Sequence, residues 1–316
     1  MRLFSVIVAD TEASTTVVVV TWRGAAHIGA CLDALSAQER KHRILVVDNA
    51  SDDGTADVVA QHPSKPEVLR LERNTGYAGA LAAALPRVRT RYMAWLNDDA
   101  APAPDWLARM EHALDAEQNV AAASARLVDS AGRTQSVGVA LTPLGYGRDL
   151  TRAVSTDVFG FCGGAAVVRT SSLRKVGGVP AEFFCYYEDT DTSWRLRLAG
   201  WRVVSVPQAV VVHAHGASTN IGSRDFHRWN ERNRLLMLAR CAPAGVAITE
   251  LIRFAVITAL LPFRTAPRTP NFRISLRLRV LGETLRMLPT ALRARRSLAG
   301  VKAATRRRVW RTWVGR

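Results

Sequence analysis

Apolar runs of strand length alternate with helical segments from residue 16 to about residue 125. Strands are predicted at 17–21, 43–48, 68–71, 92–96 and 120–125, and helices at 28–38, 54–61, 76–85 and 105–114. Because most of the strand runs are apolar throughout, we expect both faces of each strand to be covered. Strands that alternate with helices form βαβ units. The sequence therefore predicts an α/β fold, in which helices flank a mostly parallel sheet.

A second ordered block follows residues 126–160, a stretch richer in Gly, Ser, Thr and Asp that indicates loops and short strands. The block contains a predicted strand at 161–169, a helix at 189–199, and two short strands within 201–213 that are separated by Pro207. We therefore divide the ordered body into a first part at about 16–125 and a second part at about 126–242.

The distribution of charge distinguishes this body from a basic C-terminal tail. The formal net charge is +16, and residues 243–316 carry +14 of it, from 15 Arg and Lys302 against Glu250 and Glu283. The domain prediction is thus a nearly neutral body over residues 1–242 and a basic tail over 243–316. A nucleic-acid-binding protein is the alternative suggested by the charge and the eight tryptophans, but only the tail supports it.

The tail combines its arginines with apolar residues at helical spacing. Residues 245–262 are apolar but carry Glu250 and Arg253, so we expect them to fall short of the roughly 20 uninterrupted residues of a spanning helix. Pro289 is expected to kink or split the helix that follows. Its apolar stripe consists of Ile274, Leu278, Leu281, Leu285, Leu288 and Leu292. Such a segment suits an anionic membrane surface, or else its stripe packs on the body.

The acidic step Asn97-Asp98-Asp99 ends the strand predicted at 92–96. Both carboxylates should emerge at the carboxyl edge of the sheet, where open α/β sheets bind ligands. Carboxylates at such an edge suit Mg²⁺ or Mn²⁺ shared with substrate phosphates. The alternative is an Asp-rich turn before a helix that Asp105 caps.

Two other strand-to-helix turns carry polar residues. Asp48 ends a strand and could accept hydrogen bonds from a base or a ribose, while Asp52 or Asp53 caps the next helix. Asn74 and Gly76 open the following helix, where small residues let backbone amides approach an anion.

In this order, the motifs resemble those of family 2 glycosyltransferases with the GT-A fold. The resemblance continues through the Gly-rich segment 160–169, the aromatic and acidic segment 183–191, the segment 213–218 and the pair Arg232-Asn233. It covers about residues 16–240 and is nearest to bacterial rhamnosyl- and galactofuranosyltransferases of cell-envelope assembly. The sequence departs from the family pattern at Asn97, where the broad motif has Asp.

The resemblance implies a role for individual residues. The nucleotide-sugar-binding residues would be Thr21, Trp22, Asp48, Asn74, Gly76 and Asp98. Asp99 would bind the metal together with His213, for which His215 is a rival. Asp189 would be the general base, with Glu188 beside it, although this pair could also simply cap a helix. Gly163 and Gly164 would lie on the acceptor side.

The implied activity is inverting, metal-dependent glycosyl transfer. The first part of the body would bind the nucleotide, and the second would hold the acceptor and the catalytic base. The donor would be a dTDP- or UDP-linked sugar, with rhamnose favoured, and the acceptor a lipid-linked cell-envelope glycan. Binding of nucleic acid is not expected.

The alternatives are an inactive sugar-nucleotide-binding relative or a dinucleotide-dependent oxidoreductase. The latter is disfavoured because the first strand is followed by Thr21-Trp22-Arg23-Gly24 where G-x-G-x-x-G would stand.

Two further features indicate the compartment. The four cysteines are scattered, without the spacing of a metal site, which favours free thiols in a reducing compartment. Residues 3–9 form an apolar stretch too short for a secretory signal. We expect a cytoplasmic protein at the inner face of the plasma membrane.

Overall fold

Strands and helices alternate in the first part of the computed structural model, which describes residues 13–152, 155–214, 222–263, 267, 269–298, 300 and 302–315. The strands of this part are β1 (Thr15–Thr21), β2 (His42–Asp48), β3 (Glu67–Arg70), β4 (Tyr92–Asn97), β5 (Ala100–Pro102) and β6 (Val120–Val128). The helices are α1 (Ile28–Ser36), α2 (Thr55–Gln61), α3 (Gly76–Ala84) and α4 (Trp106–Ala116). The predicted order of elements is confirmed, with β5 as an unpredicted addition.

The second part, as far as the structure describes it, adds four short strands, one long strand and three α-helices. Its strands are β7 (Thr134–Ser136), β8 (Val139–Leu141), β9 (Gly147–Asp149), β10 (Ala165–Arg169) and β11 (Arg202–His213). Its helices are α5 (Thr170–Lys175), α6 (Glu188–Leu198) and α7 (Arg224–Cys241). The two strands predicted around Pro207 are one strand, β11, whose register against β6 shifts between Val206 and Val210. Such an irregularity accommodates a proline, which has no N–H for the ladder.

One nine-stranded sheet forms the centre, in the order β3-β2-β1-β4-β10-β6-β11-β5, with β7 paired to β6. Parallel pairing joins β1 to β2 and β4, β2 to β3, and β6 to β11. β10 is antiparallel to both of its neighbours, β4 and β6. The α/β prediction is confirmed, and the parallel character is concentrated on either side of β10.

Both faces of the sheet are covered, as the uninterrupted apolar runs predict. Along β1, Val18 and Val20 belong to one buried cluster, whereas Val17 and Val19 belong to a second cluster on the other face. This alternation follows from the two-residue period of a strand.

Three helices follow the body: α8 (Ala244–Leu260), α9 (Ile274–Ser297) and α10 (Ala303–Trp313). Ala291 of α9 and Val309 of α10 belong to the larger buried cluster of the body. In α10, Trp310 stacks on Trp194 at 5.8 Å between ring centroids. α9 continues through Pro289 and is not split by it. These contacts join the basic helices to the body.

Two arginines of the basic segment cap α7. Arg306 donates hydrogen bonds to the carbonyls of Arg240 and Cys241, each at 2.9 Å. Arg295 donates to the carbonyl of Ala242 at 2.7 Å. The last carbonyls of a helix lack intrahelical partners, so these guanidinium groups satisfy them. Part of the tail charge therefore serves the fold.

The apolar stripe of α9 turns outward over much of its length. Leu278 is 57% exposed and Leu285 is 56% exposed, whereas Val280 on the inner side is 1% exposed. On α8, Ile248 and Ile252 are also more than half exposed. We call Ile248, Ile252, Leu278 and Leu285 the outer apolar residues. The exposed residues of the predicted apolar stripe therefore do not pack on the body, contrary to the alternative considered for the stripe.

The prediction that the segment around α8 is too short to span a membrane needs correction. Ala244–Phe263 has 20 residues and a mean hydropathy of 1.9, and only 17% of its apolar stretch is buried, so it has the length and composition of a spanning helix. Glu250 nevertheless lies inside the protein, where it pairs with Arg234 at 3.2 Å. Length and composition alone therefore do not decide between spanning and surface contact.

Candidate active site

A cleft of about 780 Å³ opens where the carboxyl ends of β1 and β4 meet α3, α6 and α7. Most of the predicted site residues line it, although they come from distant parts of the chain. These residues are Trp22, Asn74, Gly76, Asp98, Asp99, Gly163, Gly164, Glu188, Asp189 and His213. His215 lies outside the described residues.

Asp99 and His213 form the candidate metal pair. The Nε2 atom of His213 lies 3.2 Å from Oδ1 of Asp99, because β11 pairs with β5 directly after Asp99. The Nδ1 atom of His213 is 2.9 Å from Oε1 of Gln135, whose amide nitrogen donates to the His213 carbonyl. Gln135 thus holds the imidazole through Nδ1 and turns Nε2 toward Asp99 and toward the Asn97 amide nitrogen, which lies 3.0 Å away.

The donor set fits a divalent cation that is shared with substrate. Among the residues that the structure describes, no group of three or more His, Cys, Asp or Glu side chains could hold a metal. Mg²⁺ in nucleotide enzymes typically takes one or two protein carboxylates and completes its shell with phosphates and water. Imidazole together with carboxylate also suits Mn²⁺. Two protein ligands are therefore sufficient here.

The two carboxylates of the acidic step have different surroundings. Asp98 accepts a hydrogen bond from the Thr21 hydroxyl at 2.6 Å, and burial, partly opposed by this bond, raises its pKa to about 6. Burial also opposes ionisation of Asp99, but the hydrogen bond and charge of His213 outweigh it and leave the pKa of Asp99 below its usual value. Asp99 therefore ionises more readily than Asp98.

Two predicted nucleotide-binding residues, Thr21 and Asp48, are not among the residues that line the cleft. Both side chains are buried: Thr21 bonds to Asp98, and Asp48 accepts from Arg70 at 2.6 Å and from the Ser51 amide at 2.9 Å. Asn49, one residue further, lines the cleft instead. The side chains of Thr21 and Asp48 thus support the turns around the cleft.

Asp189 is positioned by the start of α6 and by the glycine pair. Its Oδ2 accepts the Gly163 amide at 2.9 Å, and its Oδ1 accepts the Thr190 hydroxyl at 3.0 Å. A side chain on Gly163 would come within 3.3 Å of Asp189, and one on Gly164 within 3.5 Å of the Asn97 amide nitrogen. The adjacent residues Gly163 and Gly164 therefore lie between Asp189 and Asn97, the last residue of β4, which precedes Asp98 and Asp99.

The first two carboxyl groups of α6, Glu188 and Asp189, are harder to ionise than usual. Burial, followed by the neighbouring charge of Asp189, raises the pKa of Glu188 to about 8. Burial also raises the pKa of Asp189, although the hydrogen bonds from Gly163 and Thr190 oppose this. Glu188 is 6% exposed, and its Oε2 has no hydrogen-bond partner among the residues that the structure describes. Protonation of Glu188 is therefore favoured at neutral pH.

The loop before α6 is strained and closely held. Phe184, Tyr186 and Tyr187 all have φ between 66° and 70°, which costs bulky residues of order 1 kcal/mol or more each. The Asn233 amide nitrogen of α7 lies 2.8–2.9 Å from the carbonyls of three loop residues and is fully buried. Gly76 has φ +74°, and a side chain there would come 2.1 Å from the Phe184 carbonyl oxygen.

Several residues of the cleft were not predicted. Asn49 adjoins a predicted residue and Tyr77 follows Gly76, so the turn chemistry pointed to their neighbourhood. Tyr77 donates from its hydroxyl to the Gly163 carbonyl at 2.6 Å. Gln135 stands in a segment without a recognisable pattern, and Trp229 stands in a mostly polar helix. Only the folded chain reveals these two.

Comparison with protein families gives an independent finding. The model described as "Glycosyl transferase family 2" matches residues 16–177, just over half of the chain. Among curated relatives, the N-acetylglucosaminyl-diphospho-decaprenol L-rhamnosyltransferase of Mycobacterium tuberculosis is 29% identical over 247 residues, or 64% of this chain and 76% of the relative.

Solved structures are similar over most of the chain. The mannosyltransferase PcManGT from Pyrobaculum calidifontis, in complex with GDP-Man and Mn²⁺, has a TM-score of 0.53 and 22% identity, covering 92% of this chain and 75% of that chain. S. aureus TarS 1-349, in complex with UDP-GlcNAc, has a TM-score of 0.54 and 17% identity, covering 96% and 93% respectively. These likenesses confirm the predicted fold.

Proposed function

The chain belongs to glycosyl transferase family 2 and is a glycosyltransferase with the GT-A fold, and from this premise we propose that it transfers a sugar with inversion. In the proposed reaction an acceptor hydroxyl attacks the anomeric carbon of a nucleotide sugar and displaces the nucleoside diphosphate. The proposal rests on one observation: Asp189 and the Asp99–His213 pair line the same cleft, and Gly163 and Gly164 lie between them.

Asp189 is the proposed general base. It lines the cleft, and burial raises its pKa, which makes its carboxylate a better proton acceptor than that of an ordinary aspartate. Direct displacement with one base inverts the anomeric centre. Glu188, protonated and buried beside it, keeps a second negative charge away from Asp189.

Asp99 and His213 are the proposed holders of Mg²⁺ or Mn²⁺, which would neutralise charge on the departing diphosphate. The mannosyltransferase structure contains Mn²⁺ together with its sugar nucleotide, which supports this assignment. Trp22, Asn74, Gly76 and Asp98 line the cleft and are proposed to contact the donor.

We favour a rhamnosyl donor carried by dTDP, with UDP as the second choice of nucleotide. The relative from Mycobacterium tuberculosis is a rhamnosyltransferase by name, and the name of its acceptor contains diphospho-decaprenol. A lipid-linked glycan is accordingly the acceptor that we propose for this chain. A lipid-linked substrate places the reaction at a membrane surface.

The basic helices support contact with that surface. The outer apolar residues are presented on α8 and α9, and exposed arginines flank them on α9, among them Arg279, Arg286 and Arg293. Apolar residues flanked by exposed positive charge suit the interface of an anionic bilayer. We propose peripheral attachment to the cytoplasmic face of the plasma membrane through these helices.

A ligand panel tests the proposed function. The thermal midpoint of the full-length protein would be measured with dTDP-rhamnose, UDP-galactose, UDP-glucose and GDP-mannose, with Mn²⁺ or with EDTA. Binding to the native state raises the midpoint, so at least one donor is expected to stabilise the protein with Mn²⁺ and to lose this effect in EDTA. Absence of any shift across the panel with Mn²⁺ would contradict the proposal.

A further inference from the structure

Four aromatic side chains line the part of the cleft next to the acidic end of α6, and no role is yet assigned to them. Phe184 and Tyr186 come from the strained loop, and Phe226 and Trp229 come from the first turns of α7. All four are partly exposed. We call these four residues the aromatic wall.

The rings of the aromatic wall pack in two pairs. Phe184 and Trp229 lie 4.7 Å apart between centroids with 33° between their planes, and Tyr186 meets Phe226 edge-on at 5.1 Å. Each pair joins a ring of the loop to a ring of α7. The wall is therefore held from both sides while part of its surface stays open to the cleft.

Polar groups surround the wall within the same cleft. Asp225 and Asn230 of α7 and Asp149 of β9 line it, and Asp225 remains 59% exposed at its side chain although it pairs with Arg228. Aromatic rings bordered by carboxylate and amide groups match the two kinds of surface on a sugar ring. The C–H face of a sugar packs on an aromatic ring, and its hydroxyls bond to the polar rim.

Chain order places this wall next to the proposed base. The loop that carries Phe184 and Tyr186 runs directly into Glu188 and Asp189 at the start of α6, and all of these residues line the same cleft. A ring resting on the wall would therefore lie beside the end of α6 that carries Asp189. The residues proposed for the donor belong to other elements, at the ends of β1 and β4 and the start of α3.

We propose that Trp229, supported by Phe184, is the platform on which the acceptor's reacting sugar ring stacks. This assignment rests on the proposed function and deepens it, since it names a pyranose-sized ring as the group that the acceptor presents. The strained loop then has a purpose: Asn233 holds it so that the platform and Asp189 keep a fixed relation.

The test compares variants of Trp229 in the full-length protein. The probes are N-acetylglucosaminyl-diphospho-decaprenol in detergent micelles and whichever donor stabilises the protein in the panel. Trp229→Ala should raise the KM for the acceptor about tenfold, as expected for loss of one stacking surface, and should leave the donor Kd unchanged. Trp229→Tyr, which retains a ring, should stay within about twofold of the parent.

Trp229→Leu separates stacking from packing, because it keeps apolar volume but has no aromatic face. It is expected to behave like Trp229→Ala toward the acceptor while retaining a thermal midpoint near that of the parent. His112→Ala is the control, because His112 is exposed on α4 and is not among the residues that line the cleft. It should alter neither constant.

The outcomes distinguish this proposal from the one on which it rests. If the parent transfers sugar and Trp229→Ala or Trp229→Leu leaves the acceptor KM unchanged, the platform is wrong while the glycosyl transfer stands. An equal loss of donor and acceptor affinity in Trp229→Leu would also overturn it, since that result indicates a general structural role. If the parent transfers no sugar to the lipid-linked probe, the proposed acceptor fails and the platform falls with it.

Discussion

The two sides of the cleft are held in place by different means. On the proposed donor side, Asp98 and Asp99 follow a central strand, and main-chain pairing of β4 with β1 and β10 fixes their position. On the proposed acceptor side, the aromatic wall depends on side chains, above all on Asn233, which reaches from α7 to a strained loop. The comparison teaches that the donor side is a consequence of the sheet, whereas the acceptor side is built by long-range contacts.

This difference between the two sides of the cleft predicts how readily substrate specificity can change. Positions determined by strand ends tolerate change in the surrounding side chains, because the main chain sets their geometry. Positions determined by a few buried side-chain bonds can be altered by single substitutions. Acceptor preference should therefore change more readily than metal or nucleotide binding, and the predictions below examine each side separately.

The largest expected effect is on the acceptor side, at the proposed base. Asp189→Asn should lower the transfer rate by about 10²–10⁴-fold, because general base catalysis contributes an effect of that size. The donor Kd should remain close to that of the parent, as measured by titration with Mn²⁺ present. Turnover at the parental rate in the variant would exclude Asp189 as the base.

The pH profile of the parent belongs to the same test. Asp189 must be ionised to accept a proton, and burial raises its pKa above the ordinary value of 3.8. The rate should therefore fall as pH decreases through the raised pKa, at a higher pH than for an unperturbed aspartate. An acid limb centred at or below 3.8 would contradict this assignment.

The next effect concerns the donor side. Asp99→Ala should abolish the dependence of donor affinity on Mn²⁺ and weaken donor binding by about 10–100-fold, in line with loss of a metal ligand or its support. Asp57→Ala is the control, since Asp57 is exposed on α2 and is not among the residues lining the cleft. Equal donor affinity in Mn²⁺ and EDTA for the parent would remove the basis for a metal at Asp99.

The smallest effect extends the comparison to α8 and α9, the helices proposed to contact the membrane. The double variant Leu278→Asp, Leu285→Asp should bind anionic vesicles about tenfold or more weakly, because two exposed leucines lose their burial in the interface. Cosedimentation with phosphatidylglycerol-containing vesicles measures the effect. Val68→Asp, at a residue 45% exposed on β3, is the control.

Vesicle binding by the double variant equal to that of the parent would count against the proposed surface. Point substitutions are preferable to removal of the basic helices. Arg295 and Arg306 cap the end of α7, and Ala291 and Val309 belong to the main buried cluster. A truncated chain would therefore lose part of its core together with any membrane contact.

The two residues of the candidate metal pair differ in how well the local sequence predicts them. Asp99 is predicted by an acidic step that follows a buried strand, since parallel strands end at one edge of the sheet. His213 came only from the family resemblance, as nothing in its local sequence indicates proximity to Asp99. The pairing of β11 with β5 brings the two together, and Gln135, which orients the imidazole, carried no sequence signal.

What the sequence determined by itself is the alternation of buried strands and helices, and with it the α/β fold and the edge at which Asp98 and Asp99 emerge. These follow from periodicity and from turn residues, which act over a few positions. Tertiary structure alone decided that the side chains of Thr21 and Asp48 turn inward, that Trp229 faces the cleft, and that much of the stripe of α9 faces outward. Such choices depend on which surfaces meet between separate parts of the chain, and a local pattern of side chains does not contain that information.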